Sequence, residues 1–116
     1  MTPEQFDESI TMLRSTDPMT YEDGYHSLQG DNLIRYAPQI VGLLQSEVDP
    51  EMRAKLVELI GDADLPEHIP LLVQELSHPN REVRFWAYNQ LSLSRHESAN
   101  REAQEYRRSH PDEDFY

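Results

Sequence analysis

The chain has 116 residues, with 22 acidic and 10 basic side chains and a formal net charge of −12. This length suits one domain with its own hydrophobic core. The charge counts against direct binding to nucleic acid or to anionic lipid, which both need clustered lysine and arginine. The absence of cysteine excludes disulfides, thiol nucleophiles and cysteine-ligated zinc.

The first residues carry neither a basic region nor an apolar region of the kind found in signal peptides. No apolar run approaches the roughly 20 residues that a membrane span needs. We therefore expect a soluble cytoplasmic protein without a membrane contact.

Helix signals begin at the first residues. Thr2 is a predicted N-cap, with Pro3 at the first helical position and Gln5 completing a capping box. Asp17-Pro18 starts a second helix, which is predicted to end near Gly30. The apolar stripe of the first helix consists of Phe6, Ile10 and Leu13.

The third helix is predicted to be capped by Asp31 or Asn32, and the fourth begins at Asp49-Pro50 and stops at Gly61. Their inward residues are predicted to be Leu33, Ile40, Val41, Leu44, Met52, Leu56, Leu59 and Ile60.

Pro66 opens a fifth helix and Asn80 caps a sixth. No stretch alternates between apolar and polar residues for long enough to form a strand, so the predicted fold class is all-α. The inward residues of these two helices are predicted to be Ile69, Leu72, Val73, Leu76, Val83, Ala87 and Leu91.

The capping signals recur at a fixed spacing. Asp17-Pro18 returns as Asp49-Pro50 after 32 residues, and Asn80-Arg81 follows 31 residues later. Helix pairs at a constant period indicate a solenoid, in which each pair buries its apolar face against its neighbour.

The segment from Pro70 to Arg84, followed by Ala87 and Leu91, resembles one unit of the HEAT-like repeat family, as does the segment from Pro38 to Arg53. The match spans roughly residues 3–94 and is weakest in the first unit, where Tyr21 stands in place of the repeat arginine and Gly24 takes a core position. The resemblance implies a short α-solenoid of about three helix pairs. The predicted repeat domain is 1–94, with units of about 3–30, 32–62 and 66–94.

The composition changes after Ser94. Residues 95–108 alternate acids and arginines around Ala99, Ala103 and Tyr106, which predicts a polar C-terminal helix that is exposed or caps the repeat. Residues 109–116 are predicted to form a flexible acidic tail.

No catalytic constellation stands out, and we expect no catalytic residue, metal or cofactor. His96 to Asn100 comes closest to a zinc-protease helix, but Asn100 stands where the second histidine would bind metal. The five histidines are interpreted as surface or cap residues. An enzyme of the lyase or glycosylase kinds known among HEAT-like folds would need different residues, since a glycosylase requires a basic groove and Lys55 is the only lysine.

Binding of a protein has more support. In a helix-pair solenoid the second helices line one surface, so equivalent positions form columns across the units. Of the adjacent residues Phe85 and Trp86, one is expected to face outward, and Trp86 is the favoured one. The predicted partner-binding residues are Asp23, His26, Glu51, Lys55, Glu58, Glu82, Trp86 and Asn89.

The acidic charge is concentrated in the first two units. Residues 1–30 hold six acidic and one basic side chains, and residues 31–66 hold seven and three. An acidic groove suits a basic protein partner. By analogy of class, the chain resembles an immunity protein of a bacterial toxin–immunity pair, which would neutralise a basic nuclease-type toxin and be monomeric when free. The alternative is a HEAT-like scaffold or adaptor within a larger assembly.

Overall fold

A computed structural model describes residues 1–116 as seven α-helices joined by short turns, without a β-strand. A single 3₁₀ turn, Pro66–His68, precedes the fifth helix. The all-α prediction is therefore confirmed. The helices are α1 Pro3–Leu13, α2 Pro18–Ser27, α3 Asp31–Ser46, α4 Pro50–Ala63, α5 Ile69–Glu75, α6 Arg81–Leu93 and α7 Glu97–Ser109. None of them combines the length and the apolar character that crossing a bilayer requires.

Most helices begin where a capping side chain predicts a start. Thr2 and Gln5 form the expected reciprocal capping box at α1. Asp17, Asp49 and Asn80 each accept hydrogen bonds from backbone N–H groups in the first turn of the following helix. These bonds satisfy N–H groups that have no partner inside the helix.

Two predicted helix ends are wrong. Neither Asp31 nor Asn32 caps α3; its N-cap is Gly30, whose φ of 68° is a conformation that glycine adopts without a steric penalty. The fourth helix does not stop at Gly61 but continues to Ala63, where Asp64 ends it in the left-handed region at a φ of 50°. The carboxylate of Asp64 accepts hydrogen bonds from Ser94 and from the N–H of Arg95, which holds this turn against the end of α6.

The predicted apolar stripes form one continuous core, with Val41, Ile69 and Val73 only half-buried at its edge. The molecule measures 42 × 27 × 23 Å. α1 packs on α2, α3 on α4, α4 on α6, α5 on α6, and α6 on α7. This order confirms the short solenoid. Its least accessible side chains are Leu13, Leu28, Ile40, Leu44, Met52, Leu56, Val57, Leu59, Ile60, Val83 and Leu91.

The two repeat arginines connect successive units. Arg53 donates from Nη1 to the carbonyls of Leu44 and Glu47 at the end of α3, at 3.0 and 2.8 Å. Its Nε and Nη2 donate to both carboxylate oxygens of Glu75, at 3.1 and 2.6 Å. Arg53 therefore binds carbonyls at the end of the helix before it and a carboxylate that lies after it. Arg84 makes a similar set of bonds, to the carbonyls of His78 and Pro79 in the turn between α5 and α6 and to both oxygens of Glu113.

The C-terminal helix takes part in the repeat. The buried residues His68, Leu72 and Glu75 of the third unit are matched, 31 residues later, by three buried residues of α7. α7 is thus placed as the first helix of a fourth unit and covers α6, which makes it a capping helix and not an exposed one. The matching residues are Ala99, Ala103 and Tyr106.

The expectation that residues 109–116 are a tail without packing is corrected by the structure. Glu113 is bound by Arg84 and accepts a hydrogen bond from the hydroxyl of Tyr106 at 2.8 Å. Phe115 lies edge-on to Phe85, with ring centroids 5.6 Å apart. The segment packs because Arg84 of α6 and the aromatic side chains of α6 and α7 form a surface that it covers.

Candidate functional site

The second helices α2, α4 and α6 carry all eight predicted partner-binding residues. Asp23, His26, Glu51 and Glu82 are exposed. The other four, Lys55, Glu58, Trp86 and Asn89, are half-buried. No hydrogen bond or ion pair joins any two of the eight. The contacts around them are made mostly with neighbouring residues.

Lys55 is engaged by its own chain. Its Nζ donates to the carbonyl of Leu13 at 2.7 Å and lies 4.4 Å from the centre of the Tyr21 ring. Both contacts are favourable for an ammonium group, since one is a charge-assisted hydrogen bond and the other a cation–π contact. Lys55 therefore ties α4 to the end of α1 and does not project from the face as the predicted column implies.

Asp62, which the sequence did not single out, connects the three second helices. The hydroxyl of Tyr25 on α2 donates to Asp62 on α4. Gln90 on α6 donates from Nε2 to Asp62 Oδ1 and to the carbonyl of Glu58, both at 2.7 Å. The side chain of Gln90 lies where a Cβ of Gly61 would be, so this glycine allows α4 and α6 to approach closely. An acid one residue after a helical glycine is a weak sequence signal for such a contact.

Glu58 lies in a negative environment. Burial raises the pKa of Glu58, Asp62 and Glu22 raise it further, and the hydroxyl of Tyr25 acts in the opposite direction. The pKa of Tyr25 is also raised, by burial and by its hydrogen bond to Asp62. Carboxylates in this arrangement repel one another, and an incoming cation would relieve that repulsion.

We call the surface formed by Glu22, Asp23, Glu51, Glu58 and Asp62 the acidic face. Lys55, the only lysine of the chain, is already hydrogen-bonded. No free lysine or arginine on α2 or α4 is therefore left to neutralise these carboxylates. His26 lies 3.4 Å from Glu22, and both side chains are exposed.

Apolar side chains border the acidic face. Met19, at the start of α2, is 77% exposed and lies beside Glu22 and Asp23. Trp86 packs partly against the core, whereas Phe85 packs against Phe115. Both rings are half-buried, so neither Phe85 nor Trp86 faces fully outward.

The residues that resemble a zinc-protease helix have structural contacts. His96 is the N-cap residue of α7, and its Nε2 lies 2.9 Å from the carbonyl of Asp64. Asn100 donates to three carbonyls at the end of α6, which belong to Leu91, Ser92 and Ser94. No group of three or more histidine, aspartate or glutamate side chains is placed to hold a metal ion. His68 is buried and is the N-cap residue of α5, which agrees with the cap interpretation of the histidines and not with the surface one.

A groove of about 570 Å³ lies between the first helices α1 and α3. Phe6 and Tyr36 stack along it with ring centroids 4.7 Å apart, and Ile10 and Leu43 complete its apolar lining. None of the predicted partner-binding residues lines this groove.

Comparison with known proteins identifies the repeat. The family model described as HEAT repeats matches residues 37–114, well over half of the chain. The matched region includes α7 and most of the residues that follow it, in agreement with the burial pattern of α7. No curated protein and no solved structure matches the chain.

Proposed function

Because this chain belongs to the HEAT repeat family, whose repeats generally mediate protein binding, we propose that it is a binding module for a basic protein. The observation that carries the proposal is the acidic face. Asp62 and Glu22 lie close enough to Glu58 to raise its pKa, and Asp62 accepts a hydrogen bond from Tyr25. Lys55 is held by the carbonyl of Leu13. The face therefore lacks the cation that its carboxylates would accept.

A lysine or arginine of the partner would pair with Glu58 and stabilise its ionised form, which burial disfavours in the free chain. The exposed Asp23, Glu51 and Glu82 would extend the negative field and raise the rate of encounter. Met19 and Trp86 would supply apolar contact at the border of the face. This division between charge and apolar anchors is common in protein interfaces.

In its more specific form, the proposal is that the chain is a bacterial immunity protein that neutralises a basic nuclease-type toxin. The charge of −12 on 116 residues and the location of most of it in the first two units support this form. The acidic face would cover the basic residues with which such a toxin binds its nucleic acid.

The test compares two variants that change the charge equally. Asp23→Lys/Glu51→Lys alters the acidic face, and Glu67→Lys/Glu102→Lys alters exposed carboxylates elsewhere. The partner is a basic nuclease domain encoded beside this chain, and association is measured by surface plasmon resonance at low and physiological salt. We expect the association rate to fall about tenfold or more for the first variant and much less for the second.

Equal losses for the two variants would show that net charge, and not the acidic face, controls binding. The absence of a complex at low salt would reject the toxin-neutralising form. Light scattering of the free chain addresses the scaffold alternative, because self-assembly would appear as a mass that increases with concentration, whereas a binding module of this kind is expected to be monomeric.

A further inference from the structure

A second surface, which carries arginines and aromatic side chains where the acidic face carries carboxylates, lies at the C-terminal end of the solenoid. Arg81, Arg84, Phe85, Tyr88 and Tyr106 form a groove between α6 and α7, which we call the end groove. The chain's own C-terminal segment, residues 110–116, lies in it.

The segment is held by charge and by aromatic contact. Glu113 takes two hydrogen bonds from Arg84, at 3.1 and 3.0 Å, and Asp114 pairs with Arg81. The ring of Phe115 lies 5.6 Å from Phe85 and 5.4 Å from Tyr88, measured between centroids. Two positions thus carry the contact, a glutamate and an aromatic residue two places later.

The same arginine geometry occurs inside the solenoid. Arg53 binds Glu75, which belongs to the next unit, as Arg84 binds Glu113. The Nη1 of Arg84 is already fixed by the carbonyls of His78 and Pro79, so the guanidinium is oriented before any carboxylate arrives. Glu113 therefore stands in for the carboxylate of a following structural element.

The segment is less firmly held than the helices. Beyond Ser109 it forms only turns, the side chain of Asp114 is 70% exposed, and Tyr116 is 39% exposed. The side chain of Glu113 is only 12% exposed, but the exposed ion pair Arg81–Asp114 adds little stability. A short terminal segment outside the helices opens at a lower free energy than the whole domain. Opening would leave Arg84 without its carboxylate and expose the aromatic surface.

We propose that the end groove is a second docking site, which binds a partner-protein segment carrying a glutamate and an aromatic residue two positions later. The chain's own residues 113 and 115 occupy the site in the free state and are displaced by the partner. Arg84 recognises the glutamate, and Phe85, Tyr88 and Tyr106 receive the ring. The site is independent of the acidic face, since it binds an acidic segment and not a basic one.

The experiment uses the full chain and a fluorescein-labelled peptide with the sequence of residues 109–116, Ser-His-Pro-Asp-Glu-Asp-Phe-Tyr. The opened variant is Glu113→Gln/Phe115→Ala, and fluorescence anisotropy measures peptide binding. We expect the opened variant to bind the peptide and the wild type to bind it at least about tenfold more weakly, because its own segment occupies the groove. A peptide with its glutamate and phenylalanine replaced by glutamine and alanine should bind neither protein.

Adding Arg84→Gln to the opened variant should abolish binding. Circular dichroism checks the fold of each variant, and Phe115→Ala alone, which retains the Arg84–Glu113 pair, serves if the opened variant does not fold. Equal binding by the wild type and the opened variant, no binding by either opened form, or binding indifferent to Arg84→Gln would overturn the proposal. A concentration-dependent dimer of the wild type that Phe115→Ala abolishes would also overturn it, by assigning the groove to a second copy of the chain.

Discussion

Arg53 binds both carboxylate oxygens of Glu75 across the boundary between the second and third units, at 3.1 and 2.6 Å. Glu75 is almost fully buried, with a side chain 5% exposed, and Arg53 is 21% exposed. The same guanidinium closes the end of α3. One side chain thus joins three helices, α3, α4 and α5, and links the second unit to the third.

Glu75→Gln should destabilise the chain by about 2–4 kcal/mol, because it leaves a half-buried guanidinium without its counter-charge. The free energy of unfolding is measured by urea denaturation followed by circular dichroism. Glu67→Gln, at an exposed carboxylate, is the matched control and should change stability by less than about 0.5 kcal/mol. Similar effects of the two substitutions would show that the Arg53–Glu75 pair does not contribute to stability.

Glu47 should make the fold sensitive to acid. The hydrogen bond from Arg14 holds the pKa of Glu47 below the ordinary value of a glutamate. A carboxyl with a lower pKa in the folded than in the unfolded state stabilises the fold above its unfolded pKa, and this contribution is lost as the pH falls through the folded pKa. The stability difference between wild type and Glu47→Gln should therefore be largest near neutral pH and shrink below about pH 4.5.

Urea denaturation across that pH range measures this difference. Arg14→Gln removes the group that lowers the pKa, and in its background Glu47→Gln should show a much smaller pH dependence. A difference between wild type and Glu47→Gln that stays constant with pH would refute the assignment.

Two helical glycines should respond to alanine in opposite directions. A Cβ at Gly61 would lie 2.3 Å from two carbons of Gln90, so Gly61→Ala should force α4 and α6 apart and cost about 1–3 kcal/mol. A Cβ at Gly42 would meet nothing within 4 Å, so Gly42→Ala should stabilise α3 by about 0.5–1 kcal/mol. Thermal and urea unfolding of both variants provide the comparison. A stabilising effect at Gly61 would mean that Gln90 moves aside freely.

Lys55→Met should lower stability by about 1–2 kcal/mol, since it removes the bond to the carbonyl of Leu13 and the contact with Tyr21. It should not slow association with a basic partner, because it also removes a positive charge from the acidic face. Unfolding experiments and association rates test the two parts separately. A slower association by a folded Lys55→Met variant would return Lys55 to the set of partner-binding residues.

The repeat could have been followed further in the sequence than residue 94. Ser77-His78-Pro79-Asn80 returns as Ser109-His110-Pro111-Asp112 after 32 residues, which places the C-terminal segment at the same turn of a following unit. Phe115 then corresponds to Val83, a buried residue. The acidic composition of the segment hid this correspondence, because charge suggests solvation when the partner arginines are not known.

By itself, the sequence determined the helices, most of their starts, the inward residues and the period of the solenoid. These features depend on interactions within a few residues, such as the cap at Asp49, or on the 3.6-residue periodicity of each helix. Only the tertiary structure decided the partners of Arg53, Arg84 and Tyr25, the engagement of Lys55, and the contacts that Glu113 and Phe115 make in the C-terminal segment. The contacts that cross between units join residues 22 to 42 positions apart, so they depend on the distance between one helix and the next. A local sequence pattern carries no information about that distance.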